Sequence, residues 1–236
     1  MKQKINILLL VSYFPPDNHV GAWRWGRLVS NLPTDKFNFS VVTVDNNGDY
    51  ISELSANSPA RTVKRIPYPY GLSFRKKYQR LRKLKKHSDN GPVQNDGSVR
   101  KKSGLSSIRR WLSLVVDFPD FSWRGSRGVM ASCEEIIKHR DIDIIIASHP
   151  YLLNLRCASL LSAKYRIPWI ADMRDGLTGN LFSPYLDYPI LNYCLGLVEK
   201  NILSTAARVL DCTLSVDLQL YSCVQLYICT VVYSCT

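Results

Sequence analysis

The segment that decides the fold spans residues 5–32 and reads INILLLVSYFPPDNHVGAWRWGRLVSNL. Its first part, Ile5–Val11, is apolar almost without interruption, a pattern typical of a strand that is buried on both faces. A diproline then fixes the direction of the loop. Beyond Gly21 the apolar residues recur every three to four positions, which predicts a helix with one face in the core. This order of strand, loop and helix sets the pattern that the remainder of the chain repeats.

Further strands and helices alternate along the chain. The later strands are also apolar throughout, which indicates a parallel sheet that helices cover on both faces. We therefore predict an α/β fold with a doubly wound, Rossmann-like parallel sheet over residues 1–210. The predicted strands lie near residues 37–44, 62–66, 142–148, 167–172 and 207–210, and the predicted helices near 124–137, 151–164 and 187–204.

Composition places the chain among globular proteins. Of its 236 residues, 46% are hydrophobic and 11% are aromatic, unlike a disordered chain. It shows neither a secretory signal nor a run of about 18 apolar residues, so we expect a cytoplasmic protein. Cys133, Cys157 and Cys194 fall on apolar helix faces and are predicted to be structural thiols. No C-x-x-C or histidine-bearing zinc spacing occurs, so no metal site is expected.

Three polar loops follow predicted strands: Ser12–Gly21, Ser148–Pro150 and Asp172–Asn180. Ligands of a doubly wound sheet bind beyond the carboxyl ends of its strands, so we expect these loops on one rim. Gly21, at the start of a helix, would let backbone amides approach a phosphate or carboxylate; a plain turn glycine is the alternative. The chain has neither a G-x-G-x-x-G nor a G-x-x-x-x-G-K-[ST] motif, which argues against dinucleotide and P-loop chemistry.

Titratable residues at these strand ends are the candidates for chemistry. His149 ends a buried strand, where a histidine is either functional or simply hydrogen-bonded by its neighbours. Asp172, Arg174 and Asp175 follow the next strand. They form either a structural ion pair that caps the next helix or a binding site. In the second case the arginine would bind phosphate or carboxylate, and an aspartate would bind a sugar hydroxyl or act as a general base.

Three segments of the chain together resemble the N-terminal domain of family 4 glycosyltransferases, which have the GT-B fold. The resemblance is strongest to bacterial enzymes of surface-polysaccharide and lipopolysaccharide assembly, and it covers roughly Lys4 to Leu210. The segments are YFPPDNHVGAWRWGRLVSNLP (13–33), FPDFSWRGSRGVMASCEEIIKHRDIDIIIASHP (118–150) and YRIPWIADMRDGLTGN (165–180).

The resemblance implies a two-domain enzyme whose Rossmann-like domains face a cleft. The N-terminal domain would bind a lipid-linked or glycan acceptor, and the C-terminal domain a nucleotide-sugar donor, with no cofactor and no active-site metal. By position, Gly21 matches the family's glycine beside the donor phosphates, and His149 and Arg174–Asp175 match loops that line the cleft. The expected site residues are therefore His149 and Asp175 as catalytic candidates, with Asp17, Asn18, Gly21, Arg174 and Asn180 as substrate contacts.

A basic segment is set into a chain that is otherwise near neutral. The formal net charge is +12, and residues 61–110 alone hold 16 Lys/Arg and 2 Asp/Glu. Residues 72–110 read as a flexible insertion. Because members of the resembled family act on lipid-linked acceptors, its basic cluster is expected to face the inner surface of the cell membrane. The cluster comprises Arg75, Lys76, Lys77, Arg80, Arg82, Lys83, Lys85 and Lys86.

Two other interpretations of the basic cluster stay open beside the membrane one. Anionic lipid would attract it by about 1 kcal/mol per Lys/Arg, whereas a solvated loop would have no partner at all. Nucleic acid is the least favoured partner, because Tyr78 is the only aromatic residue interleaved with the charge.

Residues 211–236 depart from the resemblance. They contain no Lys, Arg, Gly or Pro, and a Tyr-x-Cys motif recurs every six residues from Tyr221. We predict an aberrant tail from out-of-frame translation, in a truncated chain that is inactive alone because its donor domain is missing; a genuine cysteine-bearing strand is the alternative for the tail. The alternative function is a stand-alone module that docks on a membrane or on the separate donor subunit of a two-chain glycosyltransferase.

Overall fold

The computed structural model describes a six-stranded parallel sheet with helices on both faces. It covers residues 4–45, 60, 62–67, 111–112, 114–119, 121–149, 151–173, 177–178, 183 and 185–211. The strands are β1 (Ile5–Val11), β2 (Phe37–Asp45), β3 (Thr62–Pro67), β4 (Ile144–Ser148), β5 (Trp169–Met173) and β6 (Arg208–Asp211). The helices are α1 (Val20–Asn31), α2 (Ser126–His139), α3 (Leu152–Tyr165) and α4 (Pro189–Leu203), and a 3-10 turn (Phe121–Gly125) precedes α2.

The strand order β3-β2-β1-β4-β5-β6 is that of a doubly wound Rossmann-like sheet. Strand β1 pairs in parallel with β2 on one side and with β4 on the other. The chain therefore builds one half of the sheet outward from β1 and then returns to build the other half from β4. This reversal opens a crevice at the carboxyl ends of β1 and β4, where such sheets bind their ligands. The predicted fold class is confirmed.

The apolar run of β1 from Ile7 to Val11 follows from burial on both faces. Alternate side chains of a strand point to opposite sides of the sheet. Ile7 and Leu9 pack in one core cluster with Trp25 of α1, and Leu8 and Leu10 pack in a second cluster with residues of α2 and α3. All four β1 side chains are fully buried. Each contributes about 1.5–3 kcal/mol of hydrophobic free energy.

The other predicted strands and helices are present, with ends that differ from the prediction by a residue or two. Strand β6 runs to Asp211, the first residue of the predicted tail. The predicted insertion (72–110) and the predicted tail from residue 212 to residue 236 lie outside the described residues, so both stay predictions. Within the described chain, no helix is both long enough and apolar enough to cross a membrane.

Two thiols on α2 and α3 are sealed in the core. Cys133 and Cys157 are free and fully buried, whereas Cys194 of α4 is partly exposed. Burial disfavours the thiolate, so it raises the pKa of Cys157 to about 12 and that of Cys133 well above its ordinary value. Both residues are therefore structural thiols, as their positions on apolar helix faces predict.

The raised pKa of Cys157 makes stability depend on alkaline pH. The ordinary pKa of a thiol is 9.0, so between that pH and about 12 the unfolded chain loses the Cys157 proton while the folded chain keeps it. We expect the free energy of unfolding to fall by about 1.4 kcal/mol per pH unit from this thiol in that range. Urea unfolding at a series of pH values tests this. In Cys157→Ala the free energy of unfolding should fall less steeply with pH over this range. If the parent and the variant showed the same pH dependence, the decrease could not be attributed to Cys157.

Candidate functional site

A small, open cleft lies at the carboxyl ends of β1 and β4. The end of β1 contributes Ser12 and Tyr13, and the end of β4 contributes Ser148 and His149. Gly21 and Trp25 of α1, together with Val11, complete the lining. The described parts of the first two polar loops thus meet on one rim, as the sequence predicts, and Asp172 at the start of the third is hydrogen-bonded to Ser148 there.

The buried carboxylate of Asp172, at the end of β5, ties the cleft to α1. Arg24 donates two hydrogen bonds to it, from Nη1 to Oδ2 at 2.9 Å and from Nη2 to Oδ1 at 2.8 Å. Ser148 adds a third, from Oγ to Oδ2 at 2.6 Å. A bidentate charge-assisted pair has a fixed orientation as well as high strength. Helix α1 is therefore held in one position relative to the ends of β4 and β5.

Asn154 of α3 extends this network to β1. Its side-chain nitrogen donates to Ser12 Oγ at 3.0 Å and to the carbonyl oxygen of Ser148 at 3.0 Å. Asn154, Ser12 and Ser148 are all buried. Hydrogen bonds thus join β1, β4, β5, α1 and α3 beneath the cleft. Such a supporting network holds a site in its working geometry before a ligand arrives.

The diproline loop between β1 and α1 is anchored to the edge of the sheet. The Asp17 carboxylate accepts a hydrogen bond from the Phe14 amide at 3.3 Å and lies 3.7 Å from Arg65 Nη1 of β3. Arg65 also donates to the carbonyl oxygens of Phe14 and Pro15. Asp17 is therefore a buried loop-forming residue in this structure, and its predicted contact with substrate stays a prediction.

His19 caps the N-terminus of α1. Its Nδ1 accepts a hydrogen bond from the Gly21 amide at 3.1 Å, and its carbonyl oxygen accepts from the amides of Ala22 at 2.8 Å and Trp23 at 3.1 Å. The Tyr13 ring stacks on the imidazole at 3.7 Å between centroids. The Gly21 amide, predicted to approach a phosphate, is thus already bonded, and an anion would have to displace the His19 imidazole to reach it.

Removing the cap should weaken the fold measurably. We expect His19→Ala to lower the free energy of unfolding by about 1 kcal/mol, because the Gly21 amide loses its acceptor. Urea unfolding of the two proteins measures the difference. His19→Asn keeps a side-chain acceptor at the cap and should recover most of the loss. Equal stability of the parent and the alanine variant would show that the cap contributes nothing.

The predicted catalytic and substrate residues fall into two groups. His149 lines the cleft and is nearly buried, and its backbone amide donates to the Asp172 carbonyl oxygen at 2.9 Å. Asn18 is exposed at the mouth of the same loop that carries Asp17. The other predicted site residues lie outside the described part of the chain, so their roles stay predictions; they are Arg174, Asp175, Asn180 and the basic cluster from Arg75 to Lys86.

The loop that carries several of those predicted residues is anchored by α4. The Glu199 carboxylate accepts hydrogen bonds from the amides of Leu177 at 2.9 Å and Thr178 at 3.3 Å, and from Thr178 Oγ1 at 2.7 Å. A carboxylate that accepts two consecutive backbone amides fixes the local chain direction. Glu199 therefore fixes the position of Leu177 and Thr178 against α4.

Trp25 has an unusual place in the wall of the cleft. Its side chain is only 2% exposed, and its Nε1 hydrogen has no acceptor among the described residues. A buried N–H without an acceptor costs about 1–3 kcal/mol, so such groups are uncommon in folded proteins. A hydrogen-bond acceptor that reached this nitrogen would recover that free energy.

Arg24, Asn154 and Glu199 were not found by reasoning from the sequence. Asp172 offered one signal, because a carboxylate in an otherwise apolar strand requires a cationic partner. Asn154 offered another, because its helix is apolar on both sides of it in the sequence. Neither signal identifies the partner residue, which lies 148 positions away for Asp172 and 142 for Asn154.

Comparisons with known proteins give a structural similarity alone. No protein-family model and no curated protein sequence matches the chain. Among solved structures, the chain is similar to a protein of Listeria monocytogenes assigned as a UDP-N-acetylglucosamine 2-epimerase. The TM-score is 0.46 and the sequence identity 12%. The match covers 89% of this chain and 39% of that one, so this chain spans well under half of its length.

Proposed function

We propose that this chain is the acceptor-binding domain of a glycosyltransferase, which transfers a sugar from a nucleotide-sugar donor to a lipid-linked or glycan acceptor. The observation that carries the proposal is the cleft at the reversal of the sheet. Its described lining offers hydroxyl, imidazole and indole groups and contains no Asp, Glu, Lys or Arg side chain. A neutral lining rich in hydrogen-bonding groups suits the hydroxyls of a saccharide.

The sequence resemblance supports the same proposal and gives it detail. On this proposal the enzyme belongs to family 4 and acts in the assembly of bacterial surface polysaccharide. His149 and Asp175 are then the candidates for the general base, and Arg174 and Asn180 contact the substrate. A nucleotide sugar would bind chiefly to a second domain. The Gly21 amide already donates a hydrogen bond to the His19 imidazole, so this domain alone is expected to bind the donor phosphate weakly.

Ligand-observed NMR of the purified chain tests the proposal. The panel consists of short glycans, a water-soluble isoprenyl-diphosphate-linked sugar, and UDP- and GDP-sugars. We expect saturation transfer to the saccharide part of at least one acceptor, and little or none to the nucleotide sugars. His149→Ala should abolish the transfer, because this residue lines the cleft.

Leu160→Ser is the matched control, since Leu160 is exposed on α3 outside the cleft. It should bind as the parent does. Circular dichroism of each variant confirms that it is folded. The proposal is wrong if no saccharide binds, or if binding is the same in the parent and in His149→Ala.

A further inference from the structure

Trp25 supplies packing to the core and also a hydrogen-bond donor that the described fold does not use. Its ring packs in one core cluster with Ile7 and Leu9 of β1, and it forms part of the wall of the cleft. A phenyl ring would supply similar packing. What tryptophan adds is the Nε1 hydrogen, which has no acceptor among the described residues. Because an unpaired buried donor is costly, its presence in the wall of a cleft points to a ligand.

A second buried indole shows how the same group is accommodated elsewhere in this chain. Trp169 of β5 is fully buried, and its Nε1 donates to the carbonyl oxygen of Thr205 at 2.8 Å and to Thr205 Oγ1 at 3.2 Å. Trp25 is buried almost as completely. Trp169 does not belong to the described lining of the cleft, whereas Trp25 does. Of these two indoles, the one that lines the cleft is therefore the one whose N–H is left for an outside acceptor.

The surroundings of Trp25 favour an acceptor without charge. The described lining of the cleft contains no Asp, Glu, Lys or Arg side chain. The guanidinium of Arg24 lies 5.7 Å from the centre of the Trp25 ring, but it makes two hydrogen bonds to Asp172. A carboxylate or phosphate at the Trp25 nitrogen would therefore bring in a buried charge that this cation already spends on another carboxylate, and such a charge is costly.

Among neutral acceptors, a carbonyl oxygen fits the Trp25 nitrogen better than a hydroxyl does. A hydroxyl brings a proton of its own, which would need an acceptor in the same buried place, whereas a carbonyl oxygen only accepts. The cleft is small, Nε1 is itself covered, and Val11 in the adjoining wall is apolar. The group that reaches the nitrogen must therefore be small and must carry an apolar part beside its carbonyl.

The N-acetyl group of an amino sugar has these properties. Resting on the proposed function, in which the cleft binds a saccharide, we propose that Trp25 selects an acetamido sugar. The Nε1 hydrogen of Trp25 donates to the carbonyl oxygen of the N-acetyl group, and the acetyl methyl packs against Val11. The hydroxyl groups of Ser12 and Tyr13 in the lining can bond to the hydroxyls of the sugar ring.

Paired titrations of the full 236-residue chain test this selection. The methyl glycosides of N-acetylglucosamine and of glucose differ in a single substituent, and the corresponding galactose pair repeats the comparison. We expect the parent to bind the N-acetyl member of a pair at least about tenfold more tightly, the factor expected for one hydrogen bond to an otherwise unpaired buried donor. Trp25→Phe should lower this ratio to nearly one. Leu160→Ser, exposed on α3 outside the cleft, should keep it.

The indole signals in a proton–nitrogen correlation spectrum give a direct measurement. The chain has five tryptophans, and their signals are assigned by single Trp→Phe variants. The Nε1 proton of Trp25 should move downfield when the N-acetyl sugar is added and should stay in place when its hydroxyl counterpart is added. The Trp169 signal should not respond to either sugar, because its proton is already bonded to Thr205.

Urea unfolding tests the unpaired N–H without any ligand. Trp25→Phe and Trp169→Phe make the same change in a buried ring, but only the second breaks a hydrogen bond, so Trp25→Phe should lower the unfolding midpoint less. Equal losses would mean that the Trp25 nitrogen already has an acceptor, and the inference would be wrong whatever the cleft binds.

The binding results separate this inference from the proposed function. If saccharides bind but the N-acetyl sugars are not preferred, or if Trp25→Phe keeps the preference, the role of Trp25 is wrong and the proposed function stands. Tighter binding of the methyl glycoside of glucuronic acid than of N-acetylglucosamine would show that the acceptor is charged, and it would overturn the inference in the same way. Binding of no saccharide at all would overturn both.

Discussion

Replacing Arg24 with Met is expected to lower the free energy of unfolding by about 3–5 kcal/mol. The substitution keeps much of the side-chain volume and removes the charge, so the Asp172 carboxylate is left fully buried with one hydrogen bond from Ser148. An uncompensated charge in that environment is among the most costly features a fold can contain. Urea unfolding, followed by circular dichroism, measures the loss.

Two further variants separate this effect from a general loss of charge. Lys164→Met removes the partner of Glu134 in an exposed pair at 2.7 Å, and it should leave the unfolding midpoint nearly unchanged because water solvates both groups. Arg24→Met/Asp172→Asn removes both charges of the buried pair and should recover much of the stability lost in Arg24→Met. If Arg24→Met were no more costly than Lys164→Met, the pair would not hold α1 against β5.

The sequence predicted the elements of the fold because their signals are local. Burial on both faces leaves the apolar runs of β1 and β4 unbroken, and a helix that packs on the sheet repeats its apolar residues every three to four positions. The common rim of the loops followed from the same alternation, since parallel strands end on one side. These inferences need neighbours in the sequence and no knowledge of distant contacts.

The partners within the site could not be predicted in the same way. Asp172 demanded a cation, but the chain holds 31 Lys/Arg, and no local pattern distinguishes Arg24 from the others. Asp17 illustrates the opposite case. It follows a diproline in a tight loop, where Asp commonly bonds to its own backbone, so its bond to the Phe14 amide was within reach of sequence reasoning. Its ion pair with Arg65 depends on how the strands are arranged, so it could not be predicted from the sequence.

Gly26→Ala should destabilise the protein by about 1–3 kcal/mol, although alanine is the better helix former. Gly26 lies inside α1, where the exchange alone would favour the helix by about 1 kcal/mol. A Cβ at this position would lie 2.5 Å from Pro15 Cγ, well inside van der Waals contact. The Pro15 ring cannot rotate away as a flexible side chain does, and Arg65 and Asp17 hold its loop. Relief of the clash therefore requires a shift of α1 or of the loop.

Gly128→Ala is the matched exchange in α2, and it separates packing from helix propensity. The nearest atom to the added Cβ there is Ile66 Cγ2 at 3.3 Å, a methyl group that needs to move by only a few tenths of an ångström. We expect that variant to be as stable as the parent or slightly more stable. If Gly26→Ala lowers the free energy of unfolding and Gly128→Ala raises it, the diproline loop is packed closely against α1, and the missing side chain of Gly26 is what permits that approach. A gain of stability in both would mean that the loop moves freely, and the rigid side of the cleft would then have to be attributed to the Arg24–Asp172 pair alone.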